Sequence, residues 1–168
     1  VPEFGMGLVV LRDVARQPSE ASRYLTATLT VQPLLAIGTH VALILLSLAL
    51  PYETSFRLLL ALAALSLTVD TIGNIGHNQL LAAERMVTTS VSSVAHISLQ
   101  IAFALIALLS GSGLVGVYLA TISAGVLRAA MYSLALRQLG ILPRLPVDRA
   151  LVRRLFGEGW SIALGSFL

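Results

Sequence analysis

Cysteine is absent from this chain, and so is lysine. Without cysteine there is no disulfide framework, no thiol nucleophile and no thiolate metal site, although the absence says nothing about redox compartment. Charge is scarce as well: 11% of residues are charged against 57% hydrophobic, with a mean hydropathy of +0.89. That is too little polar surface to coat a water-soluble domain, so an integral membrane protein is expected and a soluble domain is not. The common signatures of catalysis are missing too. There is no HExxH, no paired-histidine spacing, no carboxylate cluster, no Ser/His/Asp order and no glycine-rich phosphate loop. Neither a metal nor a cofactor is expected, and no short internal repeat or low-complexity tract is present.

What the chain does have is a series of apolar runs. Each is about 20 residues or more, enough to cross a hydrocarbon core of about 30 Å at 1.5 Å per residue. Residues 1–11 read as the tail of a span, and complete spans are expected at about 25–50, 58–82, 88–109 and 114–136, with 160–168 as the start of another. The fold class expected is therefore all-α, a polytopic transmembrane bundle. It has about four complete spans plus the end of one and the start of another. Pro33 should bend the first complete span, because it lacks an N–H and its ring clashes with the preceding turn. The turns 51–57 (PYETSFR) and 110–113 (SGSG) are short. The connection from Arg137 to Phe156 is longer, and its two prolines argue against one continuous helix, while Asp148 is placed to cap a short amphipathic helix before the last run. The chain begins at Val1 and ends within an apolar run, so a fragment is expected.

The arginines give an orientation. Nine fall in 12–23, 84–88 and 137–154, while the opposite connections, 51–57 and 110–113, hold only Arg57. The positive-inside rule makes the nine-arginine side cytoplasmic. The net charge of +3 is accounted for by this arrangement, and no nucleic-acid partner is expected.

The residues that break the pattern are the polar ones inside the spans. Arg128 lies nine residues before Arg137, about 13 Å from the end of its helix, where a bare charge costs from a few to over ten kcal/mol by different measures. Tyr118, Thr121, Gly125, Arg128 and Tyr132 fall within roughly 80° of one helix face, the arrangement of a wall of a polar lumen; the plainer alternative is an arginine snorkelling to the headgroups. Asp70, Asn74 and His77 fall within roughly 60° of one face of another span. Counted from the span ends, Asp70 is near mid-membrane at an axial offset of roughly 7 Å from Arg128. An Asp70 to Arg128 pair is expected if their helices are neighbours, the alternative being a protonated aspartate hydrogen-bonded between helices. His96 belongs to a stripe with Ser92 and Gln100. Proton coupling through His77 or His96 is conceivable, but a satisfied interhelical hydrogen bond is the simpler expectation. Gly116 and Gly125 are candidate close-packing points, as are the small residues from Gly157 to Gly165, which serve packing within the chain more simply than dimerisation.

Ordered loop signals point further. The stretch PEFGMGLVVLRDVARQPSEASRYL, with Phe4, Gly5, Arg12, Ala15, Arg16 and Tyr24, resembles the end of the second span and the following cytoplasmic loop of bacterial polysaccharide-biosynthesis flippases. These are the O-antigen or lipid-linked oligosaccharide translocases of the multidrug/oligosaccharidyl-lipid/polysaccharide exporter superfamily. LLAAERM, with Glu84 and Arg85, resembles their connection from span four to span five, and DRALVRRLFGEGW resembles the start of their seventh span. Glu3 stands where these proteins commonly carry Asp, and Gly159 and Trp160 stand where many have proline.

The resemblance implies that residues 1–136 form most of the N-terminal six-helix lobe, 137–154 the inter-lobe linker and 155–168 the start of the second lobe. It also implies a non-enzymatic function, translocation of a lipid-linked (polyprenyl-pyrophosphate) oligosaccharide or polysaccharide repeat unit across the bacterial cytoplasmic membrane by alternating access. Membrane lipids and other polysaccharide-assembly proteins are the further partners implied. A cationic lumen suits an anionic pyrophosphate, so Arg128 is the leading substrate contact, with Asp70, Asn74 and His77 and, on other spans, His96, Gln100, Tyr118 and Tyr132 as lining. Arg12 and Arg16 are candidates for attracting the headgroup, although membrane orientation also explains them. Two alternatives stay open. One is a cation-coupled multidrug exporter of the same superfamily, in which Asp70 would bind the cation. The other is a membrane-embedded glycan polymerase or glycosyltransferase, which the tiny loops at 51–57 and 110–113 disfavour. A purely structural membrane subunit fits poorly with polar stripes on three helices.

Overall fold

The computed structural model describes residues 5–165 and the side chains of residues 5–159. The described chain is an all-α bundle of six helices: α1 (Met6–Arg16), α2 (Ala21–Ala49), α3 (Thr54–Ala82), α4 (Met86–Leu109), α5 (Gly113–Gln138) and α6 (Arg149–Gly165). A 3₁₀ turn, Pro18–Glu20, joins α1 to α2. The segment that reads as a polar loop after residue 11 is thus mostly helical. Four helices are long and apolar enough to cross a membrane: α2 with the turn before it, α3, α4 and α5. The helix α2 continues through Pro33, whose missing N–H leaves the Leu29 carbonyl without its usual donor.

Local chemistry sets the ends. Three helices stop in Schellman motifs, in which the backbone folds back onto carbonyls that the helix can no longer bond. At the end of α5, Ile141 N–H donates to the Leu136 carbonyl at 2.9 Å and Gly140 N–H to Arg137 at 3.0 Å, with Gly140 left-handed at φ 72°. The α4 end repeats this around Gly111. The α3 end does so around Glu84, a side-chain-bearing residue at φ 58° in the place glycine usually fills. At the start of α6, the Asp148 carboxylate accepts N–H bonds from Ala150 and Leu151 at 2.8 and 3.1 Å. The helix it caps runs unbroken to Gly165, so the amphipathic segment and the start of the last apolar run are one element.

The helix α3 is central, touching α1, α2 and α4 and pairing most extensively with α5. One apolar core joins Met6, Val9, Val10 and Val14 of α1 to Tyr24, Ala27 and Val31 of α2, Ala82 of α3 and Leu151 and Leu155 of α6. A second joins Leu25 of α2, Ile75 and Leu80 of α3, and Tyr132 and Leu136 of α5. The outer faces carry Leu34, Val41, Leu45 and Leu48 on α2, Val87, Val91, Val94 and Ile101 on α4, and Leu119 and Val126 on α5, all exposed. An exposed apolar surface that extensive is stable in hydrocarbon and not in water.

Many polar residues in the spans are satisfied by their own helix. Thr26, Thr28, Thr30, Thr39, Thr68, Thr71 and Thr121 each donate to the carbonyl four residues back. Such hydroxyls carry no information about a lumen, because the back-bond removes the cost of burying them.

At the arginine-rich end, ion pairs tie α6 to α1 and α2. Arg12 pairs with Asp13 at 2.7 Å and with Glu158 at 2.6 Å, while Arg154 pairs with Asp13 at 3.0 Å and with Glu158 at 2.6 Å. Arg23 bridges Glu20 and Asp148, and Tyr24 Oη donates to Asp13 at 2.9 Å. Burial pushes the Asp13 carboxyl up, but hydrogen bonds from Arg12 and Tyr24 and the charges of Arg12 and Arg154 outweigh it and hold it below the ordinary carboxylate range. Glu158 is held low by its bonds to Arg154 and Arg12. Asp148 is held low by Arg23 and then by the N–H of Leu151.

Candidate functional site

The polar residues of α3 and α5 meet where the two helices approach most closely, and glycine makes the approach possible. A Cβ on Gly73 would lie 2.6 Å from Arg128 Nε and 2.9 Å from its Cζ; on Gly76 it would lie 2.7 Å from Tyr132 Cβ, and on Gly125 2.9 Å from Val69 Cγ1. The Arg128 guanidinium therefore lies against the bare backbone of α3. From there Nη2 donates to Asp70 Oδ1 at 3.0 Å and to the Asp70 carbonyl at 3.1 Å. The pair that depth counting anticipates is formed. It is unequally covered, since the Arg128 side chain is 14% exposed and that of Asp70 32%. Arg128 Nε is buried without a hydrogen-bond partner.

One turn along, Tyr132 is 1% exposed, and its hydroxyl lies 3.2 Å from both His77 Nδ1 and Ser93 Oγ. The His77 and Tyr132 rings stand 5.8 Å apart, centre to centre, at 58°. This triad ties α3, α5 and α4 together through one phenol. His96 of α4 is buried and its Nδ1 lies 3.3 Å from the Ala124 carbonyl of α5. His40 of α2 meets Thr68 Oγ1 at 3.0 Å. Each of the three histidines thus has an interhelical partner.

Of the residues singled out in the sequence, Asp70, His77, Arg128 and Tyr132 are linked across α3 and α5, and His96 bonds α5 from the α4 side. Asn74, Gln100 and Tyr118 are half-buried and enter no hydrogen bond with these groups. Tyr132 lies beneath the protein surface rather than on a lumen wall. Arg12 is engaged by Asp13 and Glu158, while Arg16 is exposed. Sequence reasoning missed Ser93, Gly73 and Gly76. The two glycines did leave a signal, small residues three apart directly after Asp70, whereas Ser93 in SVSSV is indistinguishable from its neighbours. Also missed was the full burial of Gln79, 0% exposed with neither amide atom partnered, and of Gln32, at 1% with its carbonyl oxygen unpartnered. Among the described residues no group of His, Asp and Glu is arranged to hold a metal ion.

Chemically, the arrangement is an ion pair near the middle of its helices, with its acidic member the more exposed and one buried arginine donor, Nε, left without a partner. It can exchange partners: an anion can compete with Asp70 for the guanidinium, or a cation can compete with Arg128 for the carboxylate. No family profile, curated protein or solved structure matches this chain. The fold and the apolar exterior define it as a polytopic α-helical membrane protein.

Proposed function

We propose that the protein is a transporter that moves a lipid-linked oligosaccharide or polysaccharide repeat unit across the bacterial cytoplasmic membrane by alternating access. The observation that supports this most directly is the Arg128–Asp70 pair held at mid-span against Gly73. Ionisable residues at such depth are expensive and are kept where a pathway or cavity uses them. The resemblance of the loop signals around Arg12, Glu84 and Asp148 to flippases supplies the substrate class. In this reading the pyrophosphate of the passing substrate takes over the guanidinium from Asp70 and leaves when Asp70 reclaims it. The site then binds the anion only transiently, as a transporter requires.

A second reading, a cation-coupled multidrug exporter, is favoured by one fact: Asp70 is the more exposed partner. Vesicles containing the protein separate the two. The flippase reading expects translocation of a fluorescent lipid-linked oligosaccharide that falls in Arg128→Gln and survives better in Asp70→Asn. Uptake of a cationic dye, abolished by Asp70→Asn, selects the exporter. Oligosaccharide transport unaltered in both variants removes the pair from the mechanism.

A further inference from the structure

The helices α2 and α5 both pack on α3, and they leave a cleft between them. Its floor is Ile75 and Gly76 of α3; Leu25 and Leu29 of α2 form one wall and Ala129, Ser133 and Leu136 of α5 the other. Ile141, Leu142 and Pro143, in the connection after α5, close it at the arginine-rich end, where Arg137 also lines it. The cleft encloses about 150 Å³ and is open to the outside. From Ala129 to Arg137 it extends about 12 Å along the helix axis, from near mid-membrane to the headgroup level. It lies beside the Arg128–Asp70 pair, but neither residue lines it.

We propose that this cleft is a binding site for an anionic phospholipid of the leaflet facing the arginine-rich end, with one acyl chain between α2 and α5 and the phosphate on Arg137. Three observations carry it. The cleft is mainly apolar, with the Ser133 hydroxyl in one wall, and it is cationic at the headgroup end alone, which matches the polarity of a phospholipid. Arg137 is exposed and, like several other arginines at this end, makes no ion pair or hydrogen bond through its side chain among the described residues, but it is the arginine that lines the cleft. The connection that closes the cleft is held in place: Arg144 N–H donates to Thr26 Oγ1 at 2.7 Å, and Asp148 is fixed by Arg23. The pocket therefore has a fixed rim. Basic pockets between membrane helices at this level select acidic headgroups. The site is distinct from the ion pair proposed for transport, and it stands or falls independently.

Native mass spectrometry of the full chain in detergent, titrated with phosphatidylglycerol or phosphatidylcholine of identical acyl chains, tests this. Phosphatidylglycerol is expected to bind more tightly by about fivefold, the contribution of one arginine near the surface. Arg137→Gln should abolish that preference and Arg137→Lys should keep it. Ser133→Leu, which fills the cleft, should weaken both lipids alike. A photoactivatable acyl chain should crosslink to the peptides carrying Leu29, Ile75 and Ala129. An unchanged headgroup preference in Arg137→Gln, or crosslinks confined to other helices, overturns the proposal. So does displacement of phosphatidylglycerol by polyprenyl phosphate at far lower concentration than by phosphatidylglycerol itself, since the cleft then belongs to a prenyl carrier.

Discussion

Gly73→Ala is the substitution that most directly probes how the mid-span pair is held. The added Cβ would sit 2.6 Å from Arg128 Nε and 2.7 Å from Nη2, against the 3.4 Å at which ordinary contacts begin, so the guanidinium must retreat by about 0.8 Å. It can, being the end of a flexible side chain, but the retreat breaks the 3.0 Å bond to Asp70. A hydrogen bond between charged groups contributes about 1.5–3 kcal/mol, and with Asp70 a third exposed we take about 2. Alanine in place of glycine in a helix interior returns about 1 kcal/mol. The net expectation is a loss of about 1 kcal/mol. Gly38→Ala provides the baseline: it meets nothing within 4 Å and should gain about 1 kcal/mol. The contrast of about 2 kcal/mol is measurable by reversible unfolding in mixed micelles titrated with a denaturing detergent and followed by circular dichroism. In an Arg128→Ala background the clash disappears, and Gly73→Ala should stabilise as Gly38→Ala does. Equal effects of Gly73→Ala in the two backgrounds, or no difference from Gly38→Ala in the native chain, would refute the reasoning.

Gly76→Ala should cost more than Gly73→Ala in the same assay. Its Cβ meets Tyr132 Cβ at 2.7 Å, an atom fixed to the α5 backbone, so the helices themselves must part, at about 1–3 kcal/mol. Tyr132→Phe keeps the ring and removes the hydroxyl shared by His77 and Ser93; a loss of about 1 kcal/mol is expected from unfolding, and none would show that the triad carries no stability. Glu84→Gly should raise stability by up to about 1 kcal/mol, because glycine takes the left-handed φ of 58° without steric cost. The docking of α6 on α1 and α2 should depend on pH. The folded-state values of Asp13, Asp148 and Glu158 are depressed, so their contribution is complete above the ordinary carboxylate value of about 4 and fades as pH falls below it. A spin-label distance between α1 and α6 should lengthen in that acid range, and the Asp13→Asn variant should show the longer distance at neutral pH.

The helical spans were legible because membrane crossing imposes a length and a polarity that composition alone can satisfy. The four long helices α2 to α5 fall where the apolar runs place them, each a few residues longer at one or both ends. The extensions arise because polar residues such as Ser22 and Arg23 continue a helix as readily as apolar ones once a partner like Asp148 is in reach. The Arg128–Asp70 pair was legible for a related reason: two opposite charges at compatible depths have few other ways to be satisfied. The second polar cluster was less so. Tyr132 looked like lining because helical periodicity reports a face and not what covers it, and Gly76 turns that face inward against α3.

By itself, then, the sequence determined the all-helical architecture, the number of long apolar helices and the positions of the ionisable residues along them, since all three follow from local polarity and a fixed rise per residue. Only the tertiary structure decided which faces meet. The close approach of α3 to α5 depends on glycines at 73, 76 and 125 coinciding with Arg128, Tyr132 and Val69 on the opposing helix. The sharing of one phenol by His77 and Ser93, and the cleft between α2 and α5, are likewise relations between helices far apart in the chain. Periodicity along one helix cannot encode them, because the rotation and offset between neighbours are fixed by the packing of both surfaces at once.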